Sequence, residues 1–443
     1  MRDHSHHIQL TREEAVRQML VAVDELPGGF GWCAGEVAKR SAVERVSVPE
    51  ACGRVLAADV RARATLPTCL TCAMDSIAVR FDAFEAAAAG GALPDTTTWE
   101  RGRDWEFANT GTAMPAGFDT AIVVEHVAFS EDGERVLAVD AAPSARFAGT
   151  RPAGSTMREG DVLATAGSVV SPDIAARIAG GNVSTVPVAR RPRVAFIPTG
   201  DELQTPGSPF VAAGKNIETN SVLCQLKVEG WGGIFVPFQT VRDRREEIHA
   251  ALAEACGTAD IVVLNAGSSK GSGDWSCEVM EEMGRVICHQ TNHGPGHHSS
   301  YAVIKETPVV GISGPSGGAS PTMDFYLRPL IRHFLGLEAV VPRVSARLVE
   351  SFPAAHAHGH KGARVPGRPL PGEKRPLEDG PDGFFAIRFL NVAPGPDGTL
   401  EARPVAGGPG SAAVAACNAY CMVPTGPGVE PPQVGCVLQV EFR

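Results

Sequence analysis

Lysine is the scarcest charged residue in this chain, with seven copies in 443 residues at positions 39, 215, 227, 270, 305, 361 and 374, so that nearly all positive charge is arginine. Together with a formal net charge of -10, this shortage argues against a broad nucleic-acid-binding face. An anionic ligand then needs a local basic pocket or a cluster of backbone N–H groups. The sequence also lacks an apolar run of membrane-spanning length, and its start, Met-Arg-Asp-His-Ser-His-His, lacks the apolar core of a secretory signal. These absences make a cytoplasmic protein without membrane contact the expectation, with its eleven scattered cysteines held as reduced thiols. The spacing of Cys417-Asn-Ala-Tyr-Cys421 is not that of a metal pair and reads as packing.

What is present describes a globular protein, 44% hydrophobic and too long for one compact core. Thr11 followed by Glu14 and by Met19, Leu20 and Val23 predicts a capped scaffold helix within residues 1–43. Short alternating segments in 44–78 and 151–188 predict an extended linking domain. Residues 79–150 read as a β-rich insertion into it, with strands near Ala78–Phe81, Trp105–Phe107 and Thr120–Val124. From 189 to 337, strands near 193–198, 233–237, 260–265, 285–289 and 308–312 alternate with helices near 220–230, 244–256, 274–284 and 320–336. That alternation is the signature of a doubly wound, mostly parallel α/β domain. Residues 338–443 read as a C-terminal β domain with a long loop rich in Pro, Gly and charge at 358–382.

Three strands of the α/β region run into unusual loops. The first is Thr199-Gly200-Asp201-Glu202, the second Asn265-Ala266-Gly267-Ser268-Ser269-Lys270-Gly271-Ser272-Gly273-Asp274, and the third includes Gly314-Pro315-Ser316-Gly317-Gly318. Glycines let backbone approach a ligand closely, and a strand's carboxyl end is where open α/β sheets bind. With Asp201, Glu202, Asp243 and Asp274 on the same edge, the set resembles a phosphate-and-Mg2+ crevice, since Mg2+ bridges carboxylates to phosphate oxygens. Each acid taken singly is as well explained by a cap or by solvation, Asp274 above all. Upstream, the loop before Ala78 presents Asp75, and the loop beginning Thr110-Gly111 offers hydroxyls and N–H groups.

These stretches resemble the molybdopterin molybdenumtransferase family, which includes the C-terminal domain of gephyrin. Members carry Leu-Pro and then Ser-Ala-Met-Asp-Gly-Tyr-Ala, here Leu66-Pro67 and Cys72-Ala73-Met74-Asp75-Ser76-Ile77-Ala78. Their Thr-Gly-Ala-Pro-Leu-Pro loop is here Thr110 onward, their Arg-Arg-Pro-Arg-Val strand into Ser-Thr-Gly-Asp-Glu-Leu is Arg190 to Leu203, and their Asp-Ser-Asn-Ser is Glu218-Thr219-Asn220-Ser221. The resemblance implies an elongated homodimer of four domains per chain that binds adenylated molybdopterin with Mg2+, inserts molybdate or tungstate and releases AMP. Pathway enzymes or apo-molybdoenzymes are the implied partners. It assigns Asp75 and Asp274 to catalysis, with Asp75 across a domain or subunit boundary, and Asp201, Glu202 and Asp243 to the metal; Lys270 joins the catalytic set as a local replacement charge that the family does not carry. Thr110, Gly111, Thr199, Gly200, Gly267, Ser269, Pro295, Gly296, Gly314 and Ser316 fall to the pterin nucleotide.

The sequence departs from the family on one lip of this crevice. The family's lysine-bearing Met-Lys-Pro-Gly-Lys-Pro is here His293-Gly294-Pro295-Gly296-His297-His298, and an upstream lysine is Gln290. Lys270, inside the second loop, is a candidate replacement charge. His289, His293, His297 and His298 read either as switchable cations or metal ligands, or as a drifted solvated loop. Cys69 and Cys72 stay open between a buried pair and a metal or thiol site near the dithiolene. A non-catalytic paralogue that binds or carries the pterin cofactor is the alternative function.

Overall fold

The computed structural model describes residues 8–31, 43–266, 275–353, 383–408, 410–425 and 429–443. The chain packs as two compact units, one of residues 1–44 and 189–443 and the other of residues 45–188.

The first unit is built on a six-stranded sheet in the order Ile234–Pro237, Arg193–Pro198, Ile261–Ala266, Thr307–Ser313, Ser300–Ile304, Arg285–Cys288. The first four strands are parallel and the last two join antiparallel. The central strands read as unbroken apolar runs because both faces are covered. Val194 to Ile197 and Ile261 to Leu264 are at most 1% exposed, and each Val, Ile, Leu or Phe among them contributes about 1.5–3 kcal/mol by leaving water. Ile248, Leu252, Val279 and Met280 of the helices Arg245–Thr258 and Ser276–Met283 supply part of that cover.

Strand Ser300–Ile304 was not anticipated, and the last helical stretch begins earlier than expected, at Ser316 rather than 320. It runs as Ser316–Thr322, a π-helical turn Met323–Leu327 and Arg328–Phe334. Helix Arg12–Asp24 begins as its sequence predicts, with the Thr11 side chain accepting a hydrogen bond from the Glu14 N–H. The C-terminal strands Val344–Leu348, Phe384–Pro394, Leu400–Pro404, Ala419–Thr425 and Val437–Phe442 close into a barrel, since Phe384–Pro394 pairs with both Leu400–Pro404 and Ala419–Thr425.

The second unit has separate cores. One gathers Val48, Leu56, Val60, Leu163, Ile178 and Val186 from both ends of the segment. Another gathers Ile77, Val79, Phe84, Trp105, Ile122 and Val136. The latter lies on a three-stranded sheet in which Ser76–Val79 pairs with Trp105–Ala108 and Thr120–Val123.

Candidate functional site

Strand order places the glycine loops. The chain leaves strand Arg193–Pro198 for a neighbour on one side, Ile234–Pro237, and then reaches Ile261–Ala266 on the other side. The carboxyl ends of Arg193–Pro198 and Ile261–Ala266 therefore flank a topological switch point, the crevice where such sheets bind ligands. Thr199 to Glu202 extend from the first of these ends, and Gly314 to Ser316 follow the adjoining strand Thr307–Ser313. Gly267, Ser269, Lys270 and Asp274 lie outside the described residues.

At this edge Thr199 is buried, and its N–H and hydroxyl both donate to the Asn265 carbonyl, at 2.9 and 3.1 Å. Gly200 follows with φ +147°, a backbone state that excludes most side chains, and a Cβ there would stand 2.7 Å from the Glu202 carboxylate. Glu202 thus folds over its own turn. The Asp201 N–H points to Asp243 at 3.4 Å, and the Lys215 ammonium donates to the Asp201 carbonyl. Asp201, Glu202 and Asp243 accordingly share one edge. Among the described residues no group of three or more His, Cys, Asp or Glu side chains is arranged to hold a metal alone.

A second layer ties the strand ends together. Asn220, 3% exposed, donates from Nδ2 to Asn265 Oδ1 at 3.0 Å and to the Gly314 carbonyl at 2.7 Å. Glu218 holds the start of that helix by accepting from the Ser221 N–H and hydroxyl. Asn220→Ala leaves the buried Asn265 acceptor and the partly buried Gly314 carbonyl without their donor, so we expect a loss of about 1–3 kcal/mol. A urea unfolding midpoint unchanged from the parent protein would contradict this.

The third lip is packed backbone to backbone. A Cβ on Gly296, φ +98°, would meet Thr322 Oγ1 at 2.7 Å, and one on Gly318 would meet Ser313 Oγ at 2.4 Å. Ser299 Oγ donates to the Gly296 carbonyl at 2.6 Å, and Thr322 Oγ1 donates to that of Gly318 at 2.8 Å. The glycines beside Pro295 therefore answer to packing. Ser316 remains exposed at the helix start.

The four histidines do not form one cluster. His289 is buried, its Nδ1 accepting from the Ile8 N–H and its Nε2 facing Glu281 at 2.8 Å. His293 is fully buried between Phe325 and Tyr326, its Nε2 2.6 Å from the tyrosine hydroxyl. Burial, helped by the Arg12 charge, lowers its pKa to about 3, so it is neutral at physiological pH and supplies no cation. His297 and His298 lie together, ring centroids 3.8 Å apart, and are partly exposed.

In the other unit Asp75, Thr110 and Gly111 meet. Asp75 Oδ1 accepts from the Thr110 N–H at 2.9 Å and hydroxyl at 3.0 Å, first the backbone and then the side-chain bond lowering its pKa. Gly111, φ +78°, donates its N–H to the Cys72 carbonyl. Cys72 is buried with its thiol on the Met74 carbonyl, whereas Cys69 is exposed, which favours the core reading of Cys72. Lys215, Asn220 and Asn265 were not singled out as site residues. The rarity of lysine was the available signal for Lys215.

The sheet and its edge define an α/β protein with carboxylates at the switch point. The family described as "MoeA N-terminal region (domain I and II)" matches residues 10–180, and that described as "Probable molybdopterin binding domain" matches residues 195–333. Molybdopterin molybdenumtransferase of Haemophilus influenzae is 26% identical over 302 residues, covering 66% of this chain and 73% of that protein. Molybdopterin molybdenumtransferase 2 of Mycobacterium tuberculosis is 27% identical over 328 residues, covering 69% and 79%. A solved structure of the molybdopterin biosynthesis MoeA protein from Pyrococcus horikosii has the same fold, with TM-score 0.70 at 22% identity over 98% of both chains. The chain belongs to the MoeA family of molybdopterin molybdenumtransferases.

Among the described residues no helix is long and apolar enough to cross a membrane.

Proposed function

We propose that this protein acts in molybdenum-cofactor biosynthesis by transferring molybdate or tungstate into adenylated molybdopterin with release of AMP. The observation that carries the reading is the Thr199–Glu202 turn at the switch point, with Asp243 beside it. Carboxylates bind a phosphate-bearing substrate only through a cation. The oxygen donors Asp201, Glu202 and Asp243 suit Mg2+, which takes one or two carboxylates and leaves its other positions to water and phosphate. Bound there, Mg2+ would neutralise charge on the phosphates.

The chain's own residues prepare that edge. Thr199 locks the turn to Asn265, Gly200 leaves room for the Glu202 carboxylate, and Lys215 adds a fixed positive charge at the Asp201 carbonyl. Asp75, held ionised by Thr110, is a ready ligand for a cation. Lys270 and Asp274 complete the proposed catalytic set, and a homodimer that passes its product to an apo-molybdoenzyme is the proposed context.

The test is to incubate the protein with adenylated molybdopterin, Mg2+ and molybdate or tungstate and to measure AMP. Release that needs both the cation and the oxyanion supports the transferase. Binding without release supports the second reading, a carrier, which this segment favours because Gly294 and His297 stand where the family's motif carries lysine. Absence of both overturns the two together. In an active protein, Gly200→Ala pushes the Glu202 carboxylate aside, and we expect the half-saturating Mg2+ concentration to rise roughly 10–100-fold. An unchanged Mg2+ dependence would remove Glu202 from the metal assignment.

A further inference from the structure

Arg328 is a buried cation with an unfilled role. It is 8% exposed, and its Cζ lies 5.8 Å from the Trp231 ring centroid. Its Nε is buried with no hydrogen-bond partner, and among the described residues no ion pair or hydrogen bond uses its guanidinium. A charge removed from water without a counter-ion costs several kcal/mol. Arg328 also lines a cavity of about 260 Å3 whose apolar walls are Val16, Leu20, Phe325, Pro329, Val340 and Val341. No residue of the glycine loops lines it.

The charges around the cavity specify what is missing. Four arginines and three carboxylates line it. Arg12 holds Glu441 through two bonds of 2.7 Å, Arg343 bonds Glu441 and Glu13, Arg17 pairs with Glu14, and Asp324 pairs with Lys227. After these pairings a single positive charge, that of Arg328, has no counter-ion among the described residues. One guanidinium fork beside apolar walls matches one planar monoanion with a compact apolar body. It does not match a strongly hydrated dianion.

We infer that this cavity, between helix Arg12–Asp24 and the Arg328 helix, is a binding site for a small organic monocarboxylate, its anion on Arg328 and its apolar part against Val16, Leu20 and Val340. The full-length protein is titrated calorimetrically with benzoate, with its neutral analogue benzamide and with inorganic phosphate. Saturable one-site binding of benzoate is expected, weaker by about tenfold or more for benzamide and for Arg328→Gln. Val340→Trp is the second variant. Val340 is half exposed on the cavity wall, so the indole fills the space while the charge and the fold persist, and benzoate binding is again lost.

Three results would overturn the inference: no saturable benzoate binding to the parent protein, binding that both variants retain, or phosphate binding as well as benzoate. If a carboxylate of a second copy neutralises Arg328 instead, benzoate fails to bind and Arg328→Gln changes the sedimenting mass, and the inference falls.

Discussion

Glu441→Ala is expected to lower stability by about 3–5 kcal/mol, because it strips two guanidinium groups of one buried partner. Glu441 is 5% exposed on the last barrel strand. It accepts both terminal nitrogens of Arg12 at 2.7 Å and Nε of Arg343 at 2.9 Å, and so fastens helix Arg12–Asp24 to the barrel. Arg12 is itself 6% exposed, with its Cζ 3.5 Å from the Phe325 ring centroid, and has little access to water if the carboxylate goes. Burial pushes the Glu441 carboxyl up, but hydrogen bonds and charge from Arg12 and Arg343 together outweigh it and hold the pKa below its usual 4.5. A depressed carboxylate stabilises fully above the unfolded value and loses that contribution as pH falls through the folded one. The gap between parent and variant in urea unfolding is therefore wide at pH 7 and narrows below pH 4.5. A gap under about 1 kcal/mol at pH 7 would place the pair in the class of surface bridges.

Legibility from sequence followed the range of the forces involved. Thr11 and the run Arg193–Pro198 announce their elements because caps and buried strands are local devices. Gly317, Gly318 and Pro321 disguise a helix as a loop. Gly318 packs there on Ser313 of the preceding strand and on Gly296 of an earlier loop, and the second contact is beyond any local pattern. Barrel closure is similarly non-local, as Ala419–Thr425 finds its partner only when Phe384–Pro394 bends to pair on both sides. At the site, the Thr199–Glu202 turn was readable because a strand breaks into glycine and acid. Asn220 stood in a quoted motif, yet its partners Asn265 and Gly314 are 45 and 94 residues away, beyond any local pattern. The histidines misled for a related reason. Side-chain type suggests a cation or a ligand, but burial decides which form exists, and burial belongs to the folded chain.

That decision at His293 yields the second large effect. The unfolded chain takes up a proton on this imidazole near pH 6.5, whereas the folded protein refuses it until about 3, chiefly because the ring is fully buried. Between those values the unfolded state binds more protons, so stability rises with pH across the window and falls as the solution is acidified. The contribution is intact above pH 6.5, and by pH 5 its loss amounts to about 2 kcal/mol, at close to 1.4 kcal/mol per pH unit. His293→Gln keeps a polar group beside the Tyr326 hydroxyl, 2.6 Å from the native Nε2, but removes the titration. Stability measured by urea unfolding from pH 7.5 to 5 should fall steeply for the parent and be flatter by that amount for the variant. Glu441 cannot mimic this, since its own contribution is lost only below 4.5. Equal slopes above pH 5 would mean that His293 takes up its proton in the folded state.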